Sequence, residues 1–534
     1  MRDEISIVLC GEAGQGIQTV ENVLIKVLKL SGYHVFATKE YMSRVRGGTN
    51  STSLRISDHP VRAYIERIDL LFQLGHDLTK HLKKRIGKET KIISNLPNNM
   101  AAVGMVARII GLDEQFVSDF VGKYFSAKGA DIVRGNLEAL QKGYEEGKKI
   151  DLGIHLSSDP KVKEDIIISG ADAIGLGALA GGLNFIAAYP MTPSTGIFTF
   201  LSQQAANLGI ISEQAEDEIS AMNMIIGAWY AGARAMVTTS GGGYDLMQEG
   251  LSLAGMLETP VVISLGMRPG PATGLPTRTE QGDLNLALYS GHGEFPRAIF
   301  APGSIEQAVS ITQKAFDVAD KFQVPVFILS DQYLVDSYYN LPEIDISKYK
   351  AQNHFIKTSK DYVRYQLTED GVSPRGIPGN GEGLVIVDSD EHDQEGHITE
   401  DLELRERFVN KRLKKLDGLK KETLEPELIG SGKYETLIVG WGSNYNTIKE
   451  ALAVIGKTNI SFLHFPQVYP LHEKTAEYLK KAKRLIIIEN NAQGQFCELI
   501  AKETGIRIER KILKYNGLPF SVEELVSSIK GEIQ

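Results

Sequence analysis

Short apolar runs that end at glycine or proline turns and lead into helical patterns recur along this chain, and this alternation constrains its fold more than any other feature. Residues 5–10 (ISIVLC) run into a glycine turn and then into Val20, Val23, Leu24, Val27 and Leu28, apolar at helical spacing. A strand feeding a helix in this way is a βα unit, and serial βα units build parallel sheets with helices packed on their faces. Further runs at 35–38, 52–56 and 70–74, with helical patterns through Tyr144, give a first α/β domain over residues 1–150. Residues 148–160 read as a linker. A second α/β domain spans 164–338, with strands expected at 185–188, 234–239, 261–265, 298–301 and 324–329. The pattern weakens over 339–430, a turn-rich and charged connector. It resumes in a smaller third domain, 431–534, with strands expected at 436–439, 459–464 and 484–488. The fold class is therefore α/β, with three α/β domains and mainly parallel sheets.

Composition narrows the function classes. The 534 residues are too many for a small binding module, and 58 basic against 67 acidic side chains leave a net charge of −9. No basic field exists to hold nucleic acid phosphates or an anionic membrane, so neither is expected as a partner. The longest apolar stretch, 173–188, is broken by four glycines and one asparagine and falls short of the roughly 20 residues that span a bilayer. The first residues lack the charged, apolar and small-residue succession of a signal peptide. Two cysteines, Cys10 and Cys497, are too few for a disulfide framework or for the usual four-thiolate iron-sulfur cluster. These features point to the cytoplasm.

Several turns could carry chemistry. GEAGQGI at 11–17 lies between a strand and a helix, where backbone amides can meet an anion. Its spacing is GxxGxG rather than GxGxxG, so a tight turn, a phosphate contact and a nicotinamide site with Glu40 all remain open. RVRGG at 44–48 is a short basic loop suited to a carboxylate or phosphate, or to solvent. TTSGGGY at 238–244 permits close backbone approach to a ligand but lacks the lysine of a nucleotide P-loop. Glu218 opens an apolar helical run. It reads either as a first-turn residue that stabilises the helix dipole or as a partly buried carboxyl for a cofactor nitrogen. YPMTPST at 189–195 and MRPGPATGLPT at 267–277 follow strand ends, where open α/β sheets bind ligands. The charged segment DSDEHDQEGH at 388–397 lacks calcium-loop spacing and an HExxH helix, so no metal ligand is assigned.

Together the turns at 11–17, 40–48, 189–195, 218–221, 268–277 and 371–379, with 390–396 and 489–495, resemble the thiamine-diphosphate-dependent 2-oxoacid:ferredoxin oxidoreductases. The form resembled has a gamma domain fused ahead of the alpha chain, and the likeness covers almost the whole sequence. It implies a gamma-type domain, a pyrimidine-binding domain and a transketolase C-terminal-like domain. The implied reaction decarboxylates a 2-oxoacid on thiamine diphosphate, passes electrons to ferredoxin and transfers the acyl group to coenzyme A, with 2-oxoglutarate favoured slightly over pyruvate.

The same resemblance implies site roles. Glu218 would meet the aminopyrimidine ring as the catalytic carboxyl. Tyr189, Pro190, Ser240, Gly241 and Gly242 would line the cofactor, and Thr192, Arg268, Thr277 and Arg46 the substrate. The chain carries no GDG segment with an asparagine at magnesium-diphosphate spacing, and no cluster cysteines. In the family both lie on a separate beta subunit. The resemblance thus implies that magnesium and the iron-sulfur cluster sit on that partner, that thiamine diphosphate is shared, and that the assembly is a dimer of heterodimers. The stretch 77–99 is shorter than in the usual gamma domain, where coenzyme A contacts would be sought. Two other classes are an NAD-linked dehydrogenase, resting on the first glycine turn and Glu40, and a non-catalytic assembly protein.

Overall fold

Continuous apolar strands with both faces covered need helices on each side, and the chain meets that need with three main sheets. The computed structural model describes residues 3–12, 14–42, 48–75, 77–94, 96 and 98–533. By contacts the chain forms two units. One comprises Met1–Ser169, Asp336–Ile344 and Ser521–Glu523; the other comprises Gly170–Val335, Asp345–Phe520 and Glu524–Gln534.

The first unit holds a seven-stranded mixed sheet in the order Lys91–Ser94, Leu70–Gln73, Glu4–Glu12, Thr49–Ser57, His34–Glu40, Tyr338–Leu341, Ile166–Ser169. Its first three strands are parallel and the remaining pairs antiparallel. Ile166–Ser169, which the sequence places at the opening of the second domain, is the edge strand here, joined through Tyr338–Leu341. The amide of Val35 donates to Asn340 Oδ1 at 2.7 Å, a pairing about three hundred residues long in sequence.

The second unit carries the other two main sheets. The larger has the order Gln467–Tyr469, Ala298–Phe300, Pro325–Asp331, Val261–Met267, Ala235–Ser240, Phe185–Ala188, Ile211–Gln214. All its pairs are parallel except that of Gln467–Tyr469. After Phe185–Ala188 the chain adds Ile211–Gln214 on one side and then Ala235–Ser240 on the other. That reversal is a topological switch point, and the crevice beyond the strand ends there is where open α/β sheets take ligands. The smaller sheet runs Glu427–Ile429, Ile460–Phe465, Thr436–Trp441, Arg484–Glu489, Arg510–Leu513 and is parallel apart from its first pair.

The connector is more ordered than its sequence pattern suggests. It contains a parallel pair, Phe355–Thr358 with Arg375–Gly381, and a 20-residue helix, Leu402–Lys421. Helix propensity alone does not hold this charged helix in place. Lys411 and Lys415 reach the buried carboxyl of Glu258 at 2.5 and 2.6 Å, and Arg364 Nη2 donates to the Glu258 carbonyl at 2.7 Å. The charged segment at 388–397 folds onto the same helix: Glu391 is held by Arg405 and Arg412, and fully buried His392 stacks on Tyr365 with ring centres 3.8 Å apart. Among the described residues no helix is long and apolar enough to cross a membrane.

Candidate active site

The switch point gathers three of the turns singled out from the sequence. YPMTPST follows Phe185–Ala188, SGGGY follows the strand that ends at Ser240, and MRPGPATGLPT begins at the last residue of Val261–Met267. A Cβ on Gly266 would lie 3.1 Å from Pro193 Cγ and 3.2 Å from the Ser194 nitrogen, so the first turn rests on the strand next but one. A Cβ on Gly242 would lie 3.6 Å from the Ala272 carbonyl oxygen, which brings the third turn over the second.

Glu218 lies against the second of these turns, at Gly243. Its helix, Glu218–Tyr230, starts where Asp217 Oδ1 accepts the Ser220 amide at 2.7 Å, an N-cap that fixes where the first helical side chain emerges. The carboxyl is 3 % exposed, so it does not serve as a solvated dipole partner. Its Oε1 has no hydrogen-bond partner. A Cβ on Gly243 would come 2.5 Å from that oxygen and 2.4 Å from Thr239 Oγ1; only glycine leaves room for the carboxyl. A buried polar oxygen left unpaired costs roughly 1–3 kcal/mol. Such a group is retained where a ligand completes it.

The other expected residues distribute as follows. Arg268 Nη1 donates to the Thr192 backbone carbonyl at 2.6 Å, which joins these two residues through the main chain and leaves the Thr192 hydroxyl uninvolved in that bond. Arg268 Nε is buried and unpaired, and burial lowers the guanidinium's pKa while Asp283 opposes the shift. Thr277 is half-buried on the strap that follows. Ser240 is fully buried with an unpaired hydroxyl, Gly241 is half-buried and Gly242 exposed, Tyr189 is exposed and Pro190 half-buried. Arg46 lies outside the described residues.

Among the described residues, Gln15 of the first glycine turn bonds within the turn and Asn99 bonds to it from a distant segment, while Glu40 is engaged by His81. Gln15 Oε1 accepts the Glu12 amide at 2.7 Å, Asn99 Nδ2 donates to the Gln15 carbonyl, and Glu40 Oε1 is 3.3 Å from His81 Nε2.

Sequence reasoning missed Asp283. A Cβ on Gly241 would lie 2.8 Å from its Oδ2, which is buried and unpaired. Burial, reinforced by Glu280 and Asp245 and opposed by Arg268, pushes its pKa up to about 7. The only signal was the polar run TEQGD directly after the 267–277 turn. Because the folded state favours the neutral acid, Asp283 stabilises the fold fully below about pH 4, and this contribution is lost as pH rises to about 7. Asp283→Asn cannot ionise and should escape that loss. Its stability relative to wild type, followed by thermal melting, should climb between about pH 4 and 7 and level off above, by up to about 4 kcal/mol for about three pKa units. Parallel melting curves across that range would show that Asp283 titrates as an ordinary carboxylate.

Comparison with known proteins decides the family. The model described as pyruvate flavodoxin/ferredoxin oxidoreductase, thiamine diphosphate-binding, matches residues 176–411, and that described as pyruvate ferredoxin/flavodoxin oxidoreductase matches 6–98. The 2-oxoacid:ferredoxin oxidoreductase subunit alpha of a Sulfolobus species is 30% identical, covering 98% of this chain and 96% of its own. The chain belongs to the 2-oxoacid:ferredoxin oxidoreductases. It is an alpha-type chain of this oxidoreductase family and carries its thiamine-diphosphate-binding domain. The 2-oxoglutarate synthase subunit KorA of Archaeoglobus fulgidus is 33% identical over 69% of this chain and 99% of its own. The structure of a 2-oxoglutarate:ferredoxin oxidoreductase from Magnetococcus marinus, with 2-oxoglutarate, coenzyme A and succinyl-CoA bound, superposes with a TM-score of 0.92 at 28% identity, over 100% of both chains. Family membership displaces the NAD-linked and assembly-protein readings.

Proposed function

We propose that this chain supplies the pyrimidine-binding half of a thiamine diphosphate site and the carboxylate-binding side of the substrate pocket, in an enzyme that oxidises 2-oxoglutarate to its coenzyme A thioester with ferredoxin as acceptor. The observation that carries the reading is the buried, unpaired Oε1 of Glu218 beside a glycine that admits no side chain. The residues fit the cofactor: an orphaned carboxyl oxygen against the second of three converging turns suits the edge of a nitrogen heterocycle. When bound, thiamine diphosphate supplies the electron sink for decarboxylation. Glu218 Oε1 is the hydrogen-bonding partner offered to the ring nitrogen, and its burial keeps water from competing for that contact. Arg268 offers a charged donor face to the substrate carboxylate. Thr192, Thr277 and Arg46 complete the substrate side; Tyr189, Pro190, Ser240, Gly241 and Gly242 line the cofactor. The substrate choice draws support from the relatives named for 2-oxoglutarate.

The remainder of the machinery belongs to a beta subunit carrying magnesium, the diphosphate motif and the iron-sulfur cluster. Both cysteines here are buried, and burial pushes the Cys10 thiol up to about 12, so neither is disposed to bind iron. Beside the Glu218 helix lies a groove of about 740 Å³ lined by Ile219, Met222, Leu246, Met256 and Phe295 among others, with Ile219 and Leu246 exposed. Exposed apolar side chains next to half a cofactor site suit coverage by that subunit. A closed dimer of heterodimers in the cytoplasm accords with these features. The test is co-purification with the native partner and a 2-oxoacid panel with coenzyme A, thiamine diphosphate and a viologen dye. The complex should be brown and reduce the dye fastest with 2-oxoglutarate, and the chain alone should be colourless and inactive. Full activity of the chain alone would overturn the divided site, and no thiamine-dependent turnover of any 2-oxoacid would overturn the reading itself.

A further inference from the structure

The strap that leaves the 267–277 turn is bonded to the C-terminal layer of the same unit, and Gln281 makes most of those bonds. Gln281 is fully buried. Its Nε2 donates to the Trp441 carbonyl at 2.9 Å, and its Oε1 accepts from Asn444 Nδ2 at 3.0 Å and from the Asn490 amide at 2.9 Å. Its own amide donates to the Asn490 carbonyl at 2.7 Å, and its carbonyl accepts from Asn491 Nδ2 at 3.2 Å. A Cβ on Gly442 would lie 2.8 Å from Gln281 Nε2, so the receiving loop is shaped around the amide. The receiving side is itself rigid: the buried carboxyl of Glu489 accepts from Asn491 Nδ2, Trp441 Nε1 and the amides of Phe496 and Cys497. Two more bonds flank the glutamine, from Gln495 Nε2 to the Gly282 carbonyl and from the Thr279 amide to the Gly517 carbonyl.

This strap joins Thr277 to Asp283, whose carboxyl meets the Gly241 turn, while residues 270–275 ahead of it are exposed. Arg268 thus follows directly on the strand Val261–Met267, whereas the stretch from Thr279 to Asp283 is bonded to the C-terminal layer. We propose that Gln281 is a positioning residue, through which the C-terminal layer sets where Thr277 and Asp283 stand for substrate binding. The inference rests on the assignment of Arg268 and Thr277 to the substrate.

The test uses the complex purified with its native partner subunits. Gln281→Met keeps volume and removes the three side-chain bonds; Asn444→Ala removes one of them from the opposite layer and is the milder change. Gln281→Met should raise KM for the 2-oxoacid about tenfold, the scale of a lost buried hydrogen bond, with kcat changed less than about threefold. Asn444→Ala should shift KM the same way by about threefold. In the isolated chain, hydrogen exchange should accelerate at 277–285 about tenfold and stay unchanged in Val261–Met267. Arg268→Ala and Thr277→Val are run alongside. If they raise KM while both clamp variants leave it within about twofold, as a purely structural contact would, the positioning role is wrong and the substrate assignment stands. If none of the four moves KM, the substrate assignment itself fails. Faster exchange throughout the unit with KM unchanged would also overturn the proposal.

Discussion

Glu218→Gln is expected to leave the fold and assembly intact and to lower kcat by roughly 10² to 10⁴, the range a positioned acid-base group contributes. The substitution keeps size and shape in a site where Gly243 leaves no spare room, so the melting temperature should barely change. What it removes is the carboxyl itself: an amide cannot serve as acid or base toward a ring nitrogen at neutral pH. The loss should appear in kcat rather than KM, because the contact proposed for Glu218 is with the cofactor and not with the substrate carboxylate. Steady-state turnover of the complex, measured beside thermal melting and thiamine diphosphate affinity, checks this. Retention of more than about a tenth of wild-type kcat would reduce Glu218 to a helix-start residue with a dipole role.

Arg268→Ala should lower kcat/KM for every 2-oxoacid by about 10- to 150-fold, the cost of a lost charged hydrogen bond. The carboxylate is common to all these substrates, so the factor should be similar for 2-oxoglutarate and pyruvate. Arg268 also donates to the Thr192 carbonyl, so its removal frees the YPMTPST turn as well. Thr192→Val retains that carbonyl and should act in the same direction but more weakly. A panel of kcat/KM values decides the matter: unchanged kinetics, or an effect confined to one substrate, would place Arg268 on the distal part of the substrate or away from it.

Legibility in the sequence followed the range of the interaction. Phe185–Ala188 was found to the residue because a buried parallel strand is a local apolar run bounded by turns. The turns at its end and at Ser240 were found because glycine and proline announce backbone geometry locally. The helix Leu402–Lys421 was missed because its stripe is mostly charged, and the carboxyl that buries Lys411 and Lys415 lies about 150 residues away. Tyr338–Leu341 escaped for the same reason, its partner strand being His34–Glu40.

The candidate site divides along the same line. The βα order, the turn chemistry and the family likeness that marked Glu218, Arg268 and Thr192 are readable from the amino-acid order, because those are carried by residues close together in the chain. The three-dimensional arrangement alone reveals that Glu218 is buried with an unpaired oxygen against Gly243, that Arg268 grips the main chain of Thr192, that Asp283 lies against Gly241 and that Gln281 bonds to Trp441. Burial and pairing are set by which distant segments the sheet order brings side by side, and a carboxyl or an amide carries no local mark of whether water or protein will surround it.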